Sequence, residues 1–252
     1  MAEMSVLGDI LQSHGIADSS LQPLSDAASY YLEVPGAEVV ARWSALRNIF
    51  DETSYWPVVL GGADELARHK QALAGQHPAD QDQILAVARA QNGESWLRGR
   101  LDEFHSVYAA QLDDLHEEWP ADVEHEDTFS IPIDPATAQV RATCYLGLLP
   151  ASASWQVPAL LRFGDRTTCP PPAVHVSVLS RWERMYAAEI VGMTRDTLEL
   201  TVGNPPTEPG EALDLAYEQM GYCADIVLQG TLTLERLAAT LLDGRVWFFW
   251  WD

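Results

Sequence analysis

The chain has 252 residues, 47% of them apolar, with 37 acidic residues against 15 Lys and Arg, a formal net charge of −22 at pH 7. That length suits one large domain or two small ones, with side chains enough for a real core. Charge of this sign is repelled by phosphate backbones, which argues against nucleic-acid binding, and no apolar run of about 18 residues is present to cross a membrane.

Met1 to Leu11 carries acids and no basic segment, so it does not read as a signal peptide. Cys144, Cys169 and Cys223 are odd in number and widely spaced, a pattern of free thiols in a reducing cytoplasm. The charge is uneven: residues 1–140 hold 24 acids and 7 Lys or Arg, residues 141–252 hold 13 and 8. Leu101 to Val140 contains no Lys or Arg. Acidity keeps a chain soluble, and it would also attract a basic protein partner.

In chain order, Val6, Leu7, Ile10 and Leu11 predict a helix over Ser5 to His14. Leu21 to Ser29 reads as loop. Tyr30 to Val34 is a short strand stopped by Pro35-Gly36, and Val39, Val40, Trp43, Leu46 and Phe50 predict a helix from Ala37 to Phe50. Tyr55 to Leu60 is a strand whose Pro57 favours a strand start or a sheet edge. Helices follow over Asp64 to Ala74 and Gln83 to Gln91, joined by a polar connector. Leu97, Leu101, Phe104, Tyr108, Leu112, Leu115 and Trp119 then form an apolar stripe, predicting one helix of about 24 residues and about 36 Å. Such a stripe lies on its own core or forms a seam between two chains.

Pro120 ends that pattern. Ala121 to Thr137 is acidic and proline-dotted, like a linker or exposed loop, and marks the candidate boundary between residues 1–138 and 139–252, if these are not one continuous unit. Val140 to Leu149 reads as a strand, and Trp155 to Phe163 as another, interrupted by Pro158. After a Pro-rich loop come a helix over Val174 to Ala187, two strands meeting at Arg195-Asp196, a helix starting at Pro209, a short strand over Asp225 to Leu228 and a helix capped by Thr233. Val246 to Trp251 is apolar without alternation, which predicts a central strand covered on both faces. The alternation of elements predicts a mixed α+β fold, a central mixed sheet flanked by helices.

The common catalytic signatures are absent: no phosphate loop, no G-x-G-x-x-G, no H-E-x-x-H, no G-x-S-x-G and no paired C-x-x-C. The residues best suited to chemistry are Cys169, His175, Cys223 and Asp225. A nucleophilic thiol needs a base to deprotonate it and a third group to orient that base. The alternative is that both cysteines are small buried residues and His175 a satisfied core histidine. The same four residues are suitable zinc ligands by type, but not by spacing, and no metal or cofactor is expected. Trp155, Tyr222 and Gln229 are candidate pocket residues, while Asp113, Asp114, Glu117, Glu118, Glu124 and Asp127, with His116 and His125 among them, form a candidate acidic surface. That cluster lacks the order of a calcium loop.

Trp155-Gln-Val-Pro158-Ala159, Phe163-Gly164, Cys169-Pro170-x-Pro172-x-x-His175, Arg181-Trp182-Glu183-Arg184, Tyr222-Cys223-x-Asp225-Ile-Val-x-Gln229-Gly230 and the closing Trp-Phe-Phe-Trp-Trp-Asp resemble the bacterial domain-of-unknown-function family 4253. The resemblance covers about Trp155 to Asp252. Tyr55 to Gly61 is similar to a segment of longer members. The resemblance implies a cytosolic bacterial protein with a mixed α/β unit at its C-terminal end. It carries over no activity and no catalytic residue. This chain departs from the pattern at Asp165-Arg166-Thr167-Thr168, where Trp-Asn is expected. The reading that follows is an acidic, non-enzymatic interaction module, such as an inhibitor or immunity-type binder of a basic protein. The alternative is a cysteine- and histidine-dependent hydrolase or transferase. The oligomeric state is open.

Overall fold

The computed structural model describes residues 2–16, 21–25, 28–75, 80–108, 113–121, 123, 128–166 and 168–252. The N-terminal half runs α1 (Ala2–Ser13), β1 (Gln22–Ser25), β2 (Ser29–Pro35), α2 (Val39–Asn48), the single turn α3 (Phe50–Thr53), β3 (Tyr55–Gly61), α4 (Ala63–Ala74), α5 (Gln81–Ala90) and α6 (Gly93–Tyr108). Then follow β4 (Ile133–Asp134), β5 (Gln139–Val140), β6 (Thr143–Pro150), α7 (Val157–Leu161), α8 (Pro172–Tyr186), β7 (Ala188–Met193), β8 (Thr197–Val202), α9 (Pro209–Tyr222), α10 (Leu234–Leu241) and β9 (Val246–Trp250).

Seven strands form one mixed sheet in the order β1-β2-β6-β3-β7-β8-β9, with helices packed on it, and β4 and β5 form a separate ribbon. The sheet is two antiparallel sets, β1-β2-β6-β3 and β7-β8-β9, joined by one parallel seam registered at Val59 and Gly192. Strands from both sides of residue 138 interleave, since β6 lies between β2 and β3. Every residue of β3 from Trp56 to Gly61 is buried, so this strand is covered on both faces.

Pro57 therefore sits inside the sheet, not at its edge or at the first residue of its strand. Its missing N–H is tolerated because side chains take over the polar work at this end of the seam. The Trp43 indole N–H donates to the Pro57 carbonyl at 2.9 Å, and the Trp56 indole N–H donates to Ile190 of β7 at 3.0 Å. Arg47 adds a two-pronged pair to Glu189 of β7, at 2.9 and 2.6 Å.

The acidic segment before β4 is anchored into this sheet. Glu199 of β8, 1% exposed, accepts from the Ser130 amide at 2.5 Å, the Ser130 hydroxyl at 2.6 Å and the Ile131 amide at 3.1 Å. Ile131 is thereby pressed onto the seam at Gly192, where any Cβ would overlap its side chain.

Several expectations are corrected. The closing strand β9 is an edge strand. Its apolar run hides an alternation of burial: Trp247 and Phe249 are buried while Phe248 is 40% exposed. Trp155 to Phe163 is helical, a 3-10 turn followed by α7, whose five residues are all buried. A short run that is apolar on every side fits either period, and Pro158 falls in the first turn, where no N–H is needed. Ile226–Thr231 is a π-helical turn instead of a strand, and Gln22–Ser25 is a strand instead of loop.

The long stripe does not run on one helix to Trp119. α6 is described to Tyr108 and packs on α8 and α9; Leu112 lies outside the described residues, Asp113–Leu115 is a 3-10 turn and 116–120 are not helical. Tertiary partners hold the chain there. The Glu117 amide donates to Glu235 at 3.0 Å, and the Glu117 carboxylate accepts from Thr233 at 2.9 Å and Arg236 at 2.5 Å, all at the start of α10.

Candidate functional site

Cys169 and His175 are brought together by a short, stiff path. Arg162 ends α7 in a left-handed conformation, and the chain turns back through Gly164 at φ +105°. Pro171 is extended and Pro172 opens α8, which fixes the entry of the helix and places His175 in its first turn. A Cβ at Gly164 would run into the Pro170 carbonyl and the His175 ring, so only glycine lets the loop close over the histidine.

His175 is fully buried among the rings of Phe163, Tyr222 and Trp251, with centroids 4.8, 5.3 and 5.4 Å away. Its Nδ1 lies 2.5 Å from the Tyr222 hydroxyl and its Nε2 lies 3.5 Å from Cys169 Sγ. The Pro170 carbonyl lies close to the ring and favours its protonated form, against the larger effect of burial. A carbonyl only accepts, and Nδ1 is taken by the Tyr222 hydroxyl, so we assign the ring proton to Nε2 and the hydroxyl as donor to Nδ1. In that tautomer the nitrogen facing the thiol has no lone pair to accept its proton.

The electrostatics agree with that assignment. Burial pushes the Cys169 thiol up to about 12, against the opposing pull of Arg166. Burial also lowers His175 to about 3 and holds the Tyr222 hydroxyl well above its usual value. All three groups are therefore neutral at pH 7. They form a satisfied polar thread through an aromatic core, which fixes α8 against α9 and the end of β9.

Cys223 and Asp225 stand apart from this thread. The Cys223 thiol, pushed up to about 12 by burial, donates to the Trp250 carbonyl at 2.9 Å. The Asp225 carboxylate accepts from Gln229 at 3.1 Å, the Asp252 amide at 3.2 Å and Thr168 at 3.4 Å, pinning the last residues of the chain. Tyr222 is a core residue, Gln229 is exposed, and Trp155 lines a separate cleft of about 420 Å³ between α5 and α8. Where a pocket between the Trp155–Phe163 and Tyr222–Gln229 segments was expected, the rings of Phe163, His175, Tyr222 and Trp251 fill the space. Among the described residues, no group of three or more His, Cys, Asp or Glu is placed to hold a metal ion.

Of the acidic surface, Asp114 and Glu118 are exposed, Glu117 is engaged by Thr233 and Arg236, and Asp113 opens the 3-10 turn. His116 pairs with Glu235 at 2.7 Å. Glu124, His125 and Asp127 lie outside the described residues. No described helix is long and apolar enough to cross a membrane.

The structure also gathers residues that no motif flagged. A cleft of about 570 Å³ is lined by Arg68 of α4, Arg162 after α7, Arg166 of the following loop and Arg195 of the β7–β8 turn, with His69 beside them. These positions are scattered along the chain, and the only hint in the sequence is the Asp165 to Thr168 departure from the expected Trp-Asn. Comparison with curated proteins and with solved structures gives no match. Residues 145–252, from within β6 through the Cys169–His175–Tyr222 thread to Asp252, match the family described as domain of unknown function (DUF4253).

Proposed function

We propose that this is a bacterial, cytoplasmic interaction module without catalytic activity, an inhibitor or immunity-type protein that binds a basic protein partner. The observation that carries the reading is a surface of uncompensated carboxylates. Asp102, Asp114 and Glu118 are exposed and, among the described residues, have no ion-pair partner. They belong to a stretch, Leu101 to Val140, that contains no Lys or Arg. Such a surface steers a cationic partner and speeds its association. Three free, buried cysteines support a reducing compartment.

The test is affinity capture from the source cells, with the wild-type chain and an Asp114→Asn, Glu118→Gln chain in parallel. Expected is one stoichiometric basic protein held at about 50 mM salt, released at about 500 mM and weakened in the variant, because screening and charge removal act on the same attraction. Absence of such a protein, or equal retention by the variant, overturns the proposal. The second reading, a cysteine- and histidine-dependent hydrolase or transferase, draws its support from the 3.5 Å approach of Cys169 to His175. The neutral state of both groups weighs against it, and thiol reactivity decides it.

A further inference from the structure

We propose that the arginine-lined cleft between α4, the Phe163–Pro170 loop and the β7–β8 turn is a binding site for the phosphoryl group of a small molecule. Positive side chains are scarce in this protein, and Lys70 is its only lysine. Of the ten arginines elsewhere, Arg184 and Arg245 donate to Ser180 and the Gly203 carbonyl, and Arg89 on α5 stands alone among the described residues. The other seven are matched with carboxylates: Arg42 with Glu38, Arg47 with Glu189, Arg98 with Glu94, Arg100 with Glu103, Arg141 with Glu65, Arg181 with Glu218 and Arg236 with Glu117. In this cleft they are not. Among the described residues, neither Arg68 nor Arg195 has a carboxylate in ion-pair contact.

Each arginine has a definable state. Arg162 caps the end of α4, donating to the carbonyls of Ala72 at 3.2 Å, Leu73 at 3.2 Å and Gly75 at 2.7 Å, so its charge is used locally. Arg166 donates one N–H to the Arg195 carbonyl, which ties the loop to the turn and leaves its other donors available. Arg195 and Arg68 both act on Arg166 as like charges, lowering its pKa alongside burial. Cys169 and then Asp196 oppose this at Arg166. The Asp196 carboxylate also accepts from Thr194 and Thr197, each at 3.4 Å. Three guanidinium groups from three different elements are thus held near one another against their repulsion. That arrangement is favourable once a multivalent oxyanion sits between them, and planar guanidinium forks match phosphoryl oxygens.

The remaining chemistry narrows the ligand. The chain's charge of −22 opposes a long polyanion, whereas screening within about 8 Å at physiological salt leaves a small anion governed by the cleft itself. The cleft volume, about 570 Å³, lies within the range of small-molecule sites and leaves room beyond one phosphoryl group for an organic body beside Gln71, Ala72 and Gly164.

The intact chain is titrated calorimetrically, in chloride buffer at constant ionic strength, with inorganic phosphate, phenyl phosphate and malonate. Wild type is compared with Arg68→Gln, Arg195→Gln and, as a control, Arg89→Gln on α5. Saturable one-to-one binding of phosphate or its ester is expected, about tenfold or more weaker in each cleft variant and unchanged in the control. Tighter binding of phenyl phosphate than of phosphate identifies an ester as the ligand class, and the reverse identifies free phosphate. In phosphate-free buffer both cleft variants are expected to melt at or above the wild-type temperature, since they relieve like-charge repulsion; a structural arginine would do the opposite. No saturable binding up to about 10 mM, equal binding by wild type and cleft variants, or malonate binding as tightly as phosphate overturns the assignment.

Discussion

Acidification from pH 7.5 to 5.0 is expected to destabilise this protein through two buried histidines. His69 of α4 is 6% exposed, with Nε2 3.0 Å from the Met193 carbonyl, and burial lowers it to about 4. His175 is fully buried and lowered to about 3. In the unfolded chain both titrate near 6.5. At pH 7.5 they are neutral in both states and contribute nothing. Below 6.5 the unfolded chain takes up protons that the folded chain refuses, so stability falls as the pH falls, down to the folded values near 4 and 3. At pH 5.0 the cost is about 2 kcal/mol for each histidine, about 4 kcal/mol together. Glu183, raised by burial, acts in the opposite sense as the pH falls toward the ordinary glutamate value, and Glu117 and Glu235, lowered by their partners, lose their contribution only as the pH falls further. Urea unfolding followed by tryptophan fluorescence at the two pH values measures the difference. A slope of about 2–3 kcal/mol per molar urea converts it to a fall of roughly 1.3–2 M in midpoint. His69→Phe is expected to remove about half of the pH difference, whatever it does to stability at pH 7.5. Stabilities within about 1 kcal/mol at the two pH values, or a His69→Phe chain with the full difference, would refute the reasoning.

Three further outcomes are expected. Ellman's reagent at pH 8 leaves Cys144, Cys169 and Cys223 untouched in the folded protein and titrates all three in denaturant, because all are buried and raised; fast reaction of the folded protein below pH 7 would revive the cysteine-dependent reading. Phe249→Ala, in a fully buried ring stacked 5.4 Å from Trp182, costs about 3–5 kcal/mol, while Phe248→Thr one residue away costs less than about 1 kcal/mol; similar losses would mean that both faces of β9 are covered. Glu199→Ala strands the Ser130 and Ile131 amides, costs about 3 kcal/mol and opens the 128–142 segment to limited proteolysis, and an unchanged digestion pattern counts against that anchor.

What the sequence by itself determined is local. Apolar spacing, Thr233 as a cap, the Arg195-Asp196 turn and prolines at helix starts depend on residues within a few positions of one another, and these elements form where the pattern places them. The i, i+6 spacing of Cys169 and His175 around a proline run likewise brings that pair together. Tertiary structure decided everything that depends on distant partners. Val246 to Trp250 is apolar throughout, yet the pleat turns Trp247 and Phe249 onto Trp182 of α8 and Phe248 to the opposite face, where it is exposed. Pro57 can occupy an interior strand because Trp43 and Trp56 supply the hydrogen bonds that end of the seam needs. Tyr222, 47 residues from His175, occupies the histidine's Nδ1, and burial, which no local pattern encodes, turns a cysteine–histidine contact into a neutral core element. The arginine cleft is the clearest case. Its residues have no shared spacing, and they meet only because the parallel pairing of β3 with β7 brings α4 beside the turn that follows β7.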